Sequence, residues 1–503
     1  MSPPKPFKHQ AKLLADTWKK TAYGVFWEQG CGKTRPEIDN YQMLFHAKEV
    51  NAMVVVAPPG VERNWASDEL PKHMEPDFYA DTAVLIYKSE KAETKWHQAE
   101  IERFLALPET KSRVLLISYD AVMTQFAGGK AKGRKKGYEL LKLFLTRNRC
   151  FYILDEGDAI KTPGAKRTKR IVASAPYAPY RRILTGTPIT TGPFDIYSQV
   201  RFLDPDFWKR RQIHNFHVFK QRYGEWITRA EMQERAGFDP GYDKLIGYRN
   251  LEELAELIAS IGHRLTKEDA GLDLPPKLYK KAYHDLTPAQ QKATDDLKED
   301  FFTELPDGTL VTAELPIVRA LRYHQIACGY LPTGDEDNTV ATLVSDDKNP
   351  RLKALSQVLE GLTHPAIIWT RFSADIDKIL ALAERLKISA VRYDGKMSPD
   401  EAEQNKLAFQ REDGPMLFVA NTQKGATGIT LIRARTVIYY SNSFRLRDRL
   451  QSEDRAHRIG QEHPVLYIDM CGGPVDYHII NNLVAKHDLA AVLTGDTLKE
   501  WIR

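Results

Sequence analysis

The stretch "YGVFWEQGCGKTRP" (Tyr23–Pro36) joins a short apolar run to a loop with Gly30 and Gly32 flanking Cys31, then to residues that can begin a helix. Pro36 fits a first helical turn, where its missing N–H is not needed. A strand, a glycine-bearing loop and a helix ending the loop in Gly-Lys-Thr suit a phosphate group. Backbone N–H groups and the helix dipole face the anion, Lys33 reaches the terminal phosphates and Thr34 ligates magnesium. The usual loop, G-x-x-x-x-G-K-[ST], carries an earlier glycine, and counting back from Gly32 reaches Trp27 instead. Gly-Lys-Thr alone does not settle the reading, so the rest of the chain has to.

Outward from this stretch, β-branched runs recur with helical segments between them. The first series is "YGVFW", "AMVVVAP", "TAVLIY", "RVLLIS", "FYILD" and "RRILT"; the second is "PAIIWT", "SAVRYD", "PMLFVA", "RTVIYY" and "PVLYID". Continuous apolar strands alternating with helices predict parallel sheets covered on both faces, hence an α/β class with two lobes. From about 207 to 353 the pattern turns helical. "LEELAELIASIGHRL" puts Leu251, Leu254, Leu257, Ile258, Ile261 and Leu265 on one helical face. The prolines of "LDLPPK" (Leu272–Lys277) break the pattern. The predicted division is an N-terminal lobe over 1–270, with a helical insertion at about 207–270, and a C-terminal lobe over 271–503, with one at about 285–350. "TGDEDN" (333–338) reads as an exposed loop. The basic "GGKAKGRKKG" (128–137) reads either as a solvated loop or as one touching DNA.

At 503 residues the chain exceeds what one core organises. Its 42% hydrophobic and 28% charged residues are those of a globular protein, and a net charge of +5 is too slight to argue for nucleic acid by itself. Cys31, Cys150, Cys328 and Cys471 lie far apart without a C-x-x-C pair, so neither a disulfide framework nor a zinc site is expected. "MSPPKPFKHQ" lacks the apolar centre of a signal peptide, and no apolar run is long enough to span a membrane. A soluble chain in a reducing, cytoplasmic compartment is expected.

Two further elements bear on chemistry. Asp155 and Glu156 close the apolar run "FYILD", at the strand end where α/β sheets bind ligands. An aspartate there can hold magnesium, and a neighbouring glutamate can orient or deprotonate water. In "QSEDRAHRIGQ" (Gln451–Gln461), Arg455 and Arg458 are spaced to share a helix face, and two guanidinium groups suit a polyphosphate. Taken alone, such a pair reads as a solvated basic helix face.

Together these motifs resemble the Swi/Snf-type branch of the superfamily-two helicase-like ATPases, above all its compact bacteriophage and prophage members. "FKHQ" resembles the adenine-reading glutamine motif, with Gln10 as the base contact. "EQGCGKT" resembles motif I, whose family form needs no earlier glycine, and this answers the question raised by Trp27. "VVVAPPGVERNW" resembles motif Ia, "LLISYD" the next DNA-side motif, "LDEGDAIKTPGAKRTKR" motif II and "LTGTPI" motif III. "IIWTRF", "YDGKMS", "NTQKGATGITL" and "QSEDRAHRIGQ" resemble motifs IV to VI. The resemblance implies two tandem RecA-like lobes, ATP and Mg2+ as cofactors, and double-stranded DNA as partner, held by its backbone with little sequence preference. It implies catalytic roles for Lys33, Asp155, Glu156, Arg455 and Arg458, and nucleotide contacts from Gln10, Gly30, Gly32, Lys33, Thr34 and Gln451. Thr34 and Asp155 would hold the metal. DNA contacts would come from Arg63, Asn64, Trp65, Ser118, Tyr119, Arg371, Lys424 and Thr430. A monomer is expected, in a bacterial host cell if the chain is phage-encoded.

The chain departs from the family pattern at three places. Asp158 stands where histidine is usual, "KGATGITL" replaces a common G-G-x-G, and Phe444 replaces a frequent tryptophan. The implied activity is ATP-driven translocation on duplex DNA. The alternatives are a strand-separating or branch-migrating helicase and a non-hydrolysing DNA-binding scaffold.

Overall fold

Seven parallel strands make one sheet, in the order Ala83–Ile86, Arg113–Ser118, Ala52–Ala57, Cys150–Asp155, Tyr180–Leu184, Ala22–Trp27 and Gly262–Leu265. The runs "AMVVVA" and "RVLLIS" are buried at every position, because helices cover both faces and leave neither side for polar residues. Six parallel strands make a second sheet, in the order Lys277–Tyr283, Val465–Cys471, Thr436–Tyr439, Ala366–Thr370, Leu417–Asn421 and Ala390–Tyr393. This computed structural model describes residues 3–124, 136–236, 241–299, 302–304, 310–312, 316–332, 340–422 and 429–496. The basic stretch at 128–137 and the "TGDEDN" loop fall largely or wholly outside them.

The chain divides into two compact units. One holds Met1–Leu272 with Asp488–Leu498, the other Asp273–His487 with Lys499–Arg503. The division at 270/271 did not anticipate that a C-terminal segment belongs to the first unit. There Leu493 is buried in the core, with Leu489 and Ala490 packed against it. Arg264 also grips Asp496 with Nε and Nη2, at 2.9 and 2.6 Å.

The stretch read as helical holds more strand than its periodicity suggests. The helix Leu251–Ile261 stops before Gly262, and Gly262–Leu265 joins the sheet beside Ala22–Trp27. Gly24 and Gly262 face each other in register, and the Phe26 ring lies over both. A Cβ on Gly262 would come within 2.4 Å of Phe26 Cε2, so this edge closes only on glycine. Gly224–Ile227 and Lys244–Tyr248 form an antiparallel hairpin within the same insertion. Lys277–Tyr283, absent from the strands expected, is an edge strand of the second sheet. In the second insertion, helices Pro288–Glu299 and Pro316–Cys328 accompany the two-stranded pairs Phe302–Glu304 with Leu310–Thr312 and Tyr330–Pro332 with Val340–Thr342.

Each unit buries ionic groups that pin its elements together. In the first, Arg182 Nε lies 3.2 Å from Glu37 Oε2, and its Nη atoms donate to Lys20 O and Thr17 O. In the second, Arg449 pairs with Asp469 and donates from Nε to Glu453 Oε1 at 2.8 Å. Glu453 Oε2 in turn accepts from Lys277 Nζ and Tyr279 OH, each at 2.9 Å. One glutamate thereby ties the edge strand to the helix Leu446–Ala456.

Candidate active site

The loop that opens the chain's chemistry is held from below. Trp27, the last residue of its strand, is fully buried and donates from Nε1 to His263 Nδ1 at 2.9 Å. A bulky residue is tolerated there because the loop turns later, at Gly30 and Gly32, whose φ values are 88° and 72°. Gln10 Nε2 donates to Gly32 O at 2.9 Å, while Gln10 Oε1 accepts from Phe7 N. A Cβ on Gly32 would stand 2.4 Å from that amide nitrogen and displace it from its bond, and the φ of 72° is one that glycine takes without strain. Lys33 precedes the helix Thr34–His46, and Pro36 occupies its first turn. Lys33 Nζ donates to Trp27 O and Glu28 O at 3.0 and 3.3 Å.

Asp155 ends the central strand Cys150–Asp155, and Glu156 follows in a left-handed conformation, φ 51° and ψ 54°. That conformation costs a non-glycine residue about 1–2 kcal/mol, and it turns the chain sharply at the strand's carboxyl end. Burial and the adjacent Glu156 charge push the Asp155 carboxyl up to about 6, while Trp65 and Lys33 pull it back. Two crowded carboxylates beside a lysine are the condition a divalent cation relieves. One or two carboxylates with substrate phosphates are the usual donors for magnesium. The residues present fit that ion. Gln29 Nε2 donates to Glu156 Oε1 at 3.1 Å, a link between loop and carboxylate that the sequence reading missed. Asp158 is buried.

Several residues expected at a DNA surface lie elsewhere. Trp65 is 1% exposed and donates from Nε1 to Asp155 Oδ2 at 2.9 Å. Tyr119, also 1% exposed, donates from its hydroxyl to Asp155 O at 2.9 Å. Ser118 is buried and its Oγ accepts from Ala121 N. All three side chains are buried, and the polar atoms of the two aromatic ones face motif II. Arg63 does lie at the surface, paired with Glu90 at 3.2 Å, and Asn64 is half-buried beside it.

In the second unit the helix ends at Ala456, so Arg455 and Arg458 do not share a helix face. Arg455 is buried and donates to Gln451 O and Ile429 O. Arg458, half-buried beyond the helix, donates from Nη1 to Thr430 Oγ1 at 2.8 Å. Gln451 is itself buried. The Arg371 guanidinium lies over the Phe444 ring at 4.7 Å. Lys424 falls outside the described residues.

This order of elements has known counterparts. A family model described as "SNF2-related domain" matches residues 9–314, more than half of the chain. The chain belongs to the SNF2-related family. A second model, "Helicase conserved C-terminal domain", matches residues 350–460 of this SNF2-related chain. The two parallel α/β sheets are its RecA-like lobes. The TATA-binding protein-associated factor mot1 of Schizosaccharomyces pombe is 26% identical over 403 residues, covering 71% of this chain and 19% of that protein. An uncharacterized ATP-dependent helicase of Mycoplasma genitalium is 24% identical, covering 87% of this chain and 37% of that one. The chain thus spans about one fifth to two fifths of the length of these relatives. A solved structure of the Sulfolobus solfataricus SWI2/SNF2 ATPase core in complex with dsDNA has a TM-score of 0.39 and 21% identity, over 98% of this chain and 94% of that one.

Proposed function

We propose that this chain is an ATP-dependent double-stranded DNA translocase, coupling hydrolysis to movement on DNA and to remodelling of DNA or protein–DNA complexes. The observation that carries the reading is the convergence of the Gly30–Thr34 loop, the Lys33 charge and the Asp155–Glu156 pair at the carboxyl ends of one parallel sheet. The loop's N–H groups and Lys33 bind the ATP phosphates, and Gln10 reads the adenine. Thr34 and Asp155 would hold Mg2+, which when bound neutralises charge on the phosphates. Glu156 orients the attacking water and accepts its proton. Arg458 supplies the cation that meets charge developing on the transferred phosphoryl group, as arginine fingers do. Arg63, Asn64, Arg371 and Thr430 grip the duplex backbone, positioning it without reading sequence. In this reading the protein is a compact, phage-type member that works as a monomer in the cytoplasm of a bacterial host.

The test is ATP hydrolysis measured with no DNA, single-stranded, duplex and forked DNA. Stimulation by duplex, and its loss in Lys33→Ala, is the expected result. Stimulation by forks alone would favour a strand-separating helicase, and no hydrolysis under any condition would leave only a scaffold.

A further inference from the structure

Between Val61 and His73 the chain is helical throughout, but one turn is not α-helical. Over Trp65–Glu69 it widens to a π turn, with Leu70 N bonded to Trp65 O five residues back. The sequence supplies the cause. Pro71 has no N–H, and its ring would collide with the carbonyl four residues earlier, so the helix takes in an extra residue just before it. The wide turn begins at Trp65, whose indole is the one bonded to Asp155 Oδ2. The two residues before it, Arg63 and Asn64, lie on the surface side of the same helix.

A second ring reaches Asp155 from another strand end. Tyr119 follows the strand Arg113–Ser118, and its hydroxyl donates to Asp155 O. One donor fixes the carboxylate and the other fixes the backbone beneath it. Both rings are buried, so neither can swing away without opening the core. We infer that Trp65 and Tyr119 are positioning residues: through the π turn and the two hydrogen bonds, a backbone phosphate captured at Arg63 and Asn64 resets the Asp155 carboxylate and so the rate of hydrolysis. This rests on the translocase reading above. It goes further in assigning the path by which DNA governs the nucleotide site.

The experiment compares wild type, Trp65→Phe, Tyr119→Phe and the double variant: Tyr119→Phe removes the hydroxyl donor alone, and Trp65→Phe removes the indole N–H while leaving a smaller aromatic ring in its place. Four quantities are read: thermal midpoint, duplex affinity, affinity for a fluorescent ATP analogue across a Mg2+ titration, and kcat and KM for ATP with and without saturating duplex. The expected result is an unchanged duplex affinity and a KM within about twofold. The ratio of stimulated to basal kcat should fall at least fivefold, and the Mg2+ half-saturation in the binding assay should rise several-fold. A ratio that stays at the wild-type value overturns the inference, whether or not the midpoint drops, because the rings are then packing alone. Weakened duplex binding with a normal ratio at saturation also overturns it, by placing the rings in the DNA surface. Wild-type hydrolysis indifferent to duplex would sink the translocase reading and the coupling with it. Stimulated wild type with unaltered variants sinks the coupling alone.

Discussion

Gln29 Nε2 donates to Glu156 Oε1 at 3.1 Å, so the loop ahead of Lys33 and the carboxylate after the central strand hold one another in place. Glu156 does this from a left-handed backbone, φ 51°. Glu156→Gly is expected to abolish hydrolysis while leaving the thermal midpoint within about 2 °C of wild type. Relief of about 1–2 kcal/mol of backbone strain offsets the greater entropy lost by glycine on folding. A midpoint lowered by more than about 5 °C would show that Glu156 is there for stability.

The two motif VI arginines should separate. Arg458→Ala is expected to cost roughly 10³ to 10⁵ in DNA-stimulated turnover, about 4–7 kcal/mol of barrier, with little change in stability. Arg458→Lys should recover little, since a point charge lacks the guanidinium fork. Arg455→Ala instead strands the buried Ile429 carbonyl, and should lower unfolding free energy by about 1–3 kcal/mol. Normal hydrolysis with lost DNA binding in Arg458→Ala would make that residue part of the DNA track.

Duplex affinity should respond to salt as phosphate contacts do. Log affinity is expected to fall linearly with log salt, at about −0.9 per contact. Arg371→Ala should make that slope shallower by about one contact. Competition among unrelated duplexes of equal length should reveal little preference, and a thousandfold preference would contradict backbone recognition.

Acid should loosen the second unit through Glu453. Burial opposes its charge, but Lys277 and Arg449 outweigh burial and hold its carboxyl down to about 2. Its ordinary value in an unfolded chain is about 4.3. A depressed carboxyl gives stability that is complete above the unfolded value and lost as pH falls through the folded one. The window is therefore about pH 4.3 down to 2, and the contribution about 3 kcal/mol at most. The stability gap between wild type and Glu453→Gln should be constant above about pH 5 and close across that window. A gap independent of pH would mean that folding leaves the Glu453 carboxyl at its unfolded value, with Lys277 and Arg449 doing no more than cancelling burial.

Most strands were legible because a fully covered parallel strand writes itself as an unbroken β-branched run, as in "AMVVVA" and "RVLLIS". Gly262–Leu265 escaped notice because Leu265 falls in helical phase with Leu254 and Ile258, and periodicity carries no sign that Gly262 must lie under the Phe26 ring. Lys277–Tyr283 escaped for the opposite reason: its lysines suit an edge strand but dilute the apolar signal. At the site, what the sequence made legible was placement: the Gly30–Thr34 loop and the Asp155–Glu156 pair each follow an apolar strand of one parallel sheet. Trp65 and Tyr119 were assigned to DNA by motif resemblance, which carries no sign that both rings are buried with their polar atoms on Asp155. The pairing of Arg455 and Arg458 failed because the helix stops between them.

The return of Asp488–Leu498 to the first unit sets an order of events during synthesis. Arg264 and Asp496 are 232 residues apart, and the long Asp273–His487 segment of the second unit is made in between. At roughly 5–20 residues per second, a ribosome takes about 10–50 s to cover that distance. For that interval the first unit stands without Leu493 in its core and with the Arg264 guanidinium lacking its carboxylate. Closing so long a loop adds little to the equilibrium cost, since each doubling of length adds about 0.6 kcal/mol. The burden falls on the nascent chain, whose first-made lobe waits for its closing segment until Asp273–His487 has been made.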